Sequence, residues 1–228
     1  MKREIKTTSD GSKTLYINDL DESYHSHHGA LQEAQHVFIE NGLKLVNNYE
    51  INILELGFGT GLNVLVTIND FLKNGKNQKI HYFTLEKYPV NAEELKLLDY
   101  SEFFADLAVK KSYAKIHEAE WNVETEILPN FFLTKFKSDF FALPELNFPK
   151  IDLVYFDCFG ARVQPDLWEK PLFEMVADKM ADGALLTTYS SKGSVRRILQ
   201  DLNFKVEKKA GPPGKREMIN ATKISENK

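Results

Sequence analysis

The chain is built from two kinds of apolar block: short, nearly continuous runs, and longer stretches in which apolar residues recur every three or four places. EINILELG (50–57), KIHYFTLEK (79–87), NFFLTKFKSD (130–139), KIDLVYFD (150–157) and ALLTTYS (184–190) are of the first kind and predict strands. Between them, GLNVLVTINDFLKNG (61–75, closed by Gly75), VNAEELKLLD (90–99, with further helical material to about residue 119), KPLFEMVADKMADG (170–183) and GSVRRILQDLN (193–203) have helical spacing. FKVEKKAG (204–211) and REMINATKI (216–224) predict an antiparallel pair. A short hairpin around KTLYI (13–17) and a helix carrying Leu31, Ala34 and Phe38 precede all of this. Strands separated by helices imply an α/β fold: a mostly parallel, seven-stranded sheet covered on both faces, ending in an antiparallel hairpin.

No repeat, low-complexity tract or Gly/Ser linker divides the chain, so we expect a single domain over 1–228. Its first 48 residues form an N-terminal extension and helix packed on a core of 49–223. With 228 residues, 43% of them hydrophobic, the chain can bury a core of that size. One cysteine, Cys158, allows no internal disulfide, and a polar N-terminus lacks a secretory signal's apolar stretch; both suggest a cytoplasmic protein. No apolar run reaches the roughly 20 residues of a membrane span.

A net charge of −4 gives no global basic field, yet charge is uneven. Lys192, Arg196, Arg197, Lys205, Lys208, Lys209, Lys215 and Arg216 face only Asp201 and Glu207 between Tyr189 and Arg216. Such a run is either a solvated face or a phosphate-binding one.

In open α/β sheets ligands lie beyond the carboxyl ends of the strands. The first strand ends in ELGFGTGLN, placing Gly57, Gly59 and Gly61 in the turn to a helix; the next ends at Glu86, the third at Asp139, the fourth at Asp157. Glycine lets the turn approach a bound molecule, and an acid after the second strand can accept from ribose hydroxyls. Each feature has a plainer reading: Glu86 with Lys87 as a surface pair, Asp139 as the cap of a following helix. Together they point to one nucleoside-cofactor crevice. A dinucleotide fingerprint needs glycine as its sixth residue, and counting from Gly57 that place holds Leu62.

GxGxG after a strand, followed by a strand ending in an acid, resembles motif I of the class I S-adenosylmethionine-dependent methyltransferases. GFGTGLN, LEKYP, YFDCFGARVQPDLW, TYSSKGSVRRILQDLNF and GPPGKREM, in that order from about Tyr24 to Met218, resemble the methyltransferase half of the bifunctional bacterial tRNA 5-methylaminomethyl-2-thiouridine biosynthesis enzymes. Cys158, Gly160, Ala161 and Gln164 depart from the family's usual acid-bearing motif, whereas Asp157, Phe159, Pro165 and Trp168 keep it. The resemblance implies a Rossmann-like fold, S-adenosylmethionine as cofactor without flavin or metal, and a stand-alone methyltransferase lacking the oxidase half. Gly57, Gly59 and Gly61 would then face the cofactor's methionine part with Phe58 and Asn63 nearby. Glu86 would hold the ribose, Asp139 would sit by the adenine, and Glu55 would help orient the amino group. Asp157 would grip the amine of 5-aminomethyl-(2-thio)uridine at the tRNA wobble position. The partner would be the tRNA anticodon stem-loop, met by phosphate contacts from Arg196, Arg197, Lys215 and Arg216. Phe159, Trp168 and Tyr189 are candidates for stacking the extruded base, each of them equally a candidate for the core.

Two other features suggest chemistry. His25, His27 and His28 cluster, but their spacing matches no zinc ligand set, and we expect the segment instead to border the substrate entrance. Cys158 beside Asp157 is disfavoured as a nucleophile because a carboxylate opposes the thiolate. The alternatives to a tRNA enzyme are a methyltransferase or aminopropyltransferase for a small-molecule amine, and a noncatalytic RNA-binding protein. The aminopropyl reading wants a second carboxylate pair that is not found around Asp157.

Overall fold

The structure, a computed structural model, describes residues 3–74 and 78–225; Gly75, expected to close a helix, lies outside them. Three short strands, β1 (Arg3–Thr7), β2 (Lys13–Ile17) and β3 (Glu22–Ser23), form a small antiparallel sheet where a hairpin was expected. Helix α1 (Ala30–Ala34) continues through one wider turn, Gln35–Glu40, and buries Val37, Phe38 and Ile39.

The main sheet holds β4 (Glu50–Leu56), β5 (Lys79–Leu85), β6 (Glu124–Leu128), β7 (Phe131–Phe136), β8 (Ile151–Phe156), β9 (Met180–Thr188), β10 (Phe204–Ala210) and β11 (Glu217–Lys223). Their order is β10-β11-β9-β8-β4-β5-β7-β6. The four central pairings, from β9 through β8, β4 and β5 to β7, are parallel, and the C-terminal hairpin is antiparallel as expected. The Rossmann-like architecture is therefore present, with eight strands instead of seven. The extra strand, β6, is an edge strand whose sequence, ETEIL, fully buries only Ile127, so its apolar signal is too weak to find by pattern.

Helices α2 (Leu62–Lys73), α3 (Ala92–Leu98) and α4 (Leu107–Glu118) pack with α1 on one face; α5 (Lys170–Lys179) and α6 (Gly193–Asp201) cover the other. Period-2 alternation assigns the strand residues between them. Ile51, Ile53, Tyr82 and Tyr155 point to the first face, and Leu54, Leu56, Phe83, Val154 and Phe156 to the second. At 20–33 cal/mol per Å2, these fully buried side chains are the principal favourable term of folding.

Register aligns the strand ends. Leu56 pairs with Leu85 and Phe156, and Leu85 with Phe136. The residues that follow, including Gly57, Glu86 and Asp157, therefore leave the sheet from one edge. Just inside that edge, a row of paired positions on the first face is polar: Lys135, Thr84, Glu55, Tyr155 and Thr187. The register Ile219 with Thr188 brings the start of β11 to the same edge.

Candidate active site

A cavity of about 490 Å3 opens at this edge, bounded by the glycine turn, the residues after β5 and β8, and the N-terminal segment around Tyr24–His28. The size suits a small organic ligand. Of the residues singled out from sequence, Gly57, Phe58, Gly59, Asn63, Glu86, Asp139, Asp157, Phe159, Tyr189 and Lys215 line it.

The turn is shaped by φ +104° at Gly57, and a Cβ there would lie 2.7 Å from the Asp157 carbonyl oxygen. Only glycine permits this approach of two strand ends. Gly59 N–H donates to Glu86 Oε2 at 3.0 Å, and Tyr88 N–H to Glu86 Oε1 at 2.8 Å. Each oxygen retains a lone pair, so the carboxylate can still accept from a diol. Asp139 caps the 3-10 turn Phe140–Glu145 through Phe141 N–H and pairs with Lys87 at 2.8 Å. Its expected helix cap and its place on the cavity wall are both present.

Asp157 is the innermost acid. Its Oδ2 accepts from Asn63 Nδ2 at 2.8 Å. Burial pushes the carboxyl up to about 7, even though the Asn63 amide favours the charged form. At neutral pH it is divided between acid and carboxylate, which suits a group that takes and returns a proton. Phe159, two residues on, meets Tyr24 edge to face, ring centres 5.0 Å apart, so the N-terminal segment roofs this end of the cavity.

The structure corrects several expectations. Glu55 is 0% exposed within β4, on the face covered by α1–α4, and does not line the cavity. Gly61 is the N-cap of α2 and is also off the wall; its φ of +73° is the left-handed conformation that favours glycine, and a Cβ there would crowd the His117 ring at 3.0 Å. Trp168 is a core residue: its indole N–H donates to the Phe159 carbonyl at 2.7 Å and its ring abuts Phe156 and Tyr189. It supports the loop that presents Phe159. Tyr189 donates to the Cys158 carbonyl at 2.7 Å while still bordering the cavity. Cys158 is buried, with its thiol pushed up by burial and by Asp157.

The basic run is partly neutralised: Lys205 and Lys209 pair with Glu207, Lys208 with Glu217, and Lys215 with Glu33. Lys215 does not project outward; it lies 3.9 Å over the Tyr189 ring on the cavity wall. Arg196 and Arg197, on α6, and Arg216, just before β11, are exposed and off the wall.

Sequence reasoning missed Tyr24, Glu33, Tyr88 and Gln164 as wall residues. Tyr88 and Gln164 lie within LEKYP and YFDCFGARVQPDLW, so their motifs carried a signal, whereas Tyr24 and Glu33 reach the cavity through tertiary packing alone. His25, His27 and His28 all line the cavity, as expected of a segment at its entrance, with different partners: His25 Nε2 bonds Thr60 Oγ1 at 2.8 Å and His27 reaches Ser23.

These residues could hold S-adenosylmethionine: the wall offers a side-chain-free turn, a carboxylate with spare lone pairs at Glu86, and aromatic Tyr88 and Phe141. Comparison with known proteins points the same way. Residues 138–224 match the S-adenosyl-L-methionine-dependent methyltransferase family. Over most of its length the chain resembles the tRNA 5-methylaminomethyl-2-thiouridine biosynthesis bifunctional protein MnmC of Leptospira interrogans, with 32% identity over 226 residues, covering 90% of this chain and 33% of the relative. The Idiomarina loihiensis protein of the same name is 29% identical over 225 residues, covering 88% of this chain and 35% of its own. The chain thus spans about a third of the curated relatives it matches. Among solved structures, MNMC2 from Aquifex aeolicus superposes with a TM-score of 0.80 at 24% identity, covering 99% of this chain and 73% of that one, which shows the shared fold.

Proposed function

We propose that this protein transfers the methyl group of S-adenosylmethionine to the exocyclic amine of 5-aminomethyl-(2-thio)uridine at the wobble position of tRNA. The observation that carries the reading is Asp157, held by Asn63 at the inner end of the cavity that Glu86 and the glycine turn also line. The names of the relatives supply the substrate class.

When bound, the cofactor supplies a methyl group activated by a sulfonium. The substrate nitrogen must reach that carbon in line with the departing sulfur and with its lone pair free. As the N–C bond forms and the C–S bond breaks, the electron pair stays on sulfur and positive charge moves to nitrogen, whose surplus proton must then leave. Asp157 Oδ1, free of the Asn63 bond, orients the amine by accepting one of its N–H groups and stabilises the growing charge. Its ionised form then takes the proton. Glu86 would hold the ribose, Gly57 and Gly59 would face the amino-acid end, and Asp139 would sit by the adenine. Phe159 and Tyr24 form the apolar wall against which an extruded base would rest. Arg196, Arg197 and Arg216 meet phosphates of the anticodon stem-loop.

The test is incubation with methyl-labelled S-adenosylmethionine and tRNA bearing or lacking aminomethyl-uridine. Label on the modified nucleoside alone is expected. Label on small amines but never on tRNA would replace this reading with a small-molecule methyltransferase.

A further inference from the structure

One cation of the basic run stands in the cavity instead of on the outer surface, and the chemistry above leaves it without a task. Lys215 lines the wall together with Asp157, Phe159 and Tyr189. Register explains the neighbourhood. Tyr155 of β8 pairs with Thr187 of β9, so Asp157 and Tyr189, each two residues further on, leave adjacent parallel strands side by side. The Tyr189 hydroxyl reaches the Cys158 carbonyl at 2.7 Å, and Lys215 Nζ lies 3.9 Å from the centre of the Tyr189 ring. One aromatic ring therefore separates the ammonium from the backbone that carries Asp157. After burial and the Asn63 amide, the groups that bear most on the Asp157 carboxyl are Glu33, which raises it, and Lys215, which lowers it.

The ammonium is held in place. Glu33 accepts from it through Oε1, and Glu33 is itself fixed by the Ser26 N–H, which donates to Oε2 at 3.0 Å. The loop before Lys215 is pressed against the roof: Gly214 has φ +84°, and a Cβ there would collide with the His28 ring. An ammonium has three N–H groups and no lone pair. Glu33 takes one and the Tyr189 face receives the charge, so at least one N–H has no acceptor among the described residues. A charged donor fixed in a cavity wall with an N–H to spare suits an oxygen of the substrate.

The substrate proposed above carries an oxygen in the matching place. In 5-aminomethyluridine the carbon that bears the aminomethyl group is bonded to C4, so a base whose amine meets Asp157 brings its C4 carbonyl to the adjoining wall. There the Tyr189 hydroxyl is already spent on Cys158, and Lys215 supplies the donor. We propose that Lys215 reads the base: its ammonium donates to the C4 oxygen beside the reacting amine and so selects uracil over cytosine, whose C4 amino group is itself a donor. The proposal rests on the methyl-transfer reading and adds to it a residue that specifies the base.

Two anticodon stem-loop RNAs test it, one with 5-aminomethyluridine and one with 5-aminomethylcytidine at the wobble position. Both offer the same amine at the same ring carbon. Wild-type kcat/KM should favour the uridine RNA by about 10–100-fold, the range of a lost hydrogen bond to a charged group. Lys215→Met should lower kcat/KM for the uridine RNA by a similar factor and change that for the cytidine RNA less than about threefold, so the preference collapses. Affinity for S-adenosylmethionine should stay within about threefold. A purely structural lysine would lower both RNAs alike, and a preference that survives in Lys215→Met would belong to another wall residue such as Gln164; either result overturns the proposal.

A second measurement needs neither turnover nor a variant. With S-adenosylhomocysteine bound, the wild-type protein should hold the uridine stem-loop about tenfold or more tighter than the cytidine one. Equal affinities for the two, both tighter than for an unmodified stem-loop, overturn base selection by Lys215 while leaving methyl transfer intact. Affinities no better than that of the unmodified stem-loop refute the methyl-transfer reading, and the proposal with it.

Discussion

Gly59 N–H donates to Glu86 Oε2 at 3.0 Å, so the carboxylate suited to a ribose also ties down the glycine turn. Glu86 therefore has two effects that a single substitution removes together. Glu86→Ala should raise the Kd for S-adenosylmethionine by about 10–100-fold, equivalent to about 1.4–2.7 kcal/mol. Amide exchange at Gly59 should quicken as well. Titration calorimetry and hydrogen exchange read the two effects separately, and a Kd within a factor of two of wild type would remove Glu86 from the cofactor site.

Asp157 should behave in the opposite manner. Its partners are Asn63 and, in the proposed reaction, the substrate amine, so Asp157→Ala should lower kcat by about 100-fold or more while the cofactor Kd changes far less. The wild-type kcat/KM should fall as pH drops through about 7, the value to which burial raises this carboxyl, because the protonated form can neither accept the amine N–H nor take its proton. Turnover of the alanine variant within about threefold of wild type, a loss below 1 kcal/mol, would make Asp157 structural.

The contrast between these acids and their neighbours shows what a sequence can convey about such a site. Gly57, Glu86 and Asp157 were legible because register in a parallel sheet places the residues after aligned strand ends together, and each follows a recognisable strand. Glu55 was misplaced although the information was present: it lies within β4, before the strand end, where alternation directs it to the interior under α1–α4. Trp168 could not be judged from PDLW, because what makes it a core residue is the backbone carbonyl of Phe159 that receives its indole N–H. The pairing of Glu33 with Lys215 joins residues 182 positions apart and leaves no local trace. Strand β6 escaped for an energetic reason: an edge strand buries little and therefore carries little pattern.

His25 ties the N-terminal roof to the glycine turn through Thr60, and it does so as a neutral imidazole, since burial pulls it down to about 4. The unfolded chain takes up this proton near 6.5, before the folded protein does. Acid therefore favours unfolding between about pH 6.5 and 4, and the contribution of His25 is fully retained only above that window. In His25→Gln, which can still reach Thr60 without titrating, the loss of stability on acidification should be shallower by up to about 1 kcal/mol per pH unit. Urea unfolding at pH 7, 6 and 5 measures this. Parallel slopes for variant and wild type would mean that His25 is charged in the folded state.

The three arginines of the C-terminal run, Arg196, Arg197 and Arg216, form no carboxylate ion pair among the described residues; Lys192 shares this, whereas Lys205, Lys208, Lys209 and Lys215 are paired. Unpaired cations release counterions when they meet phosphate, and paired ones must first give up a partner, so binding strength should reside in the unpaired residues. Arg196→Glu with Arg197→Glu should weaken tRNA binding at least about tenfold at 0.1 M salt and reduce the slope of log K against log salt by roughly 1–2. Reversing Lys205 and Lys208, which already pair with Glu207 and Glu217, should do less than half as much. Affinity for S-adenosylmethionine should not change in either variant, because none of these side chains reaches the cavity wall. Filter binding over a salt series decides the matter: equal slopes for all three proteins would put the nucleic acid on another face.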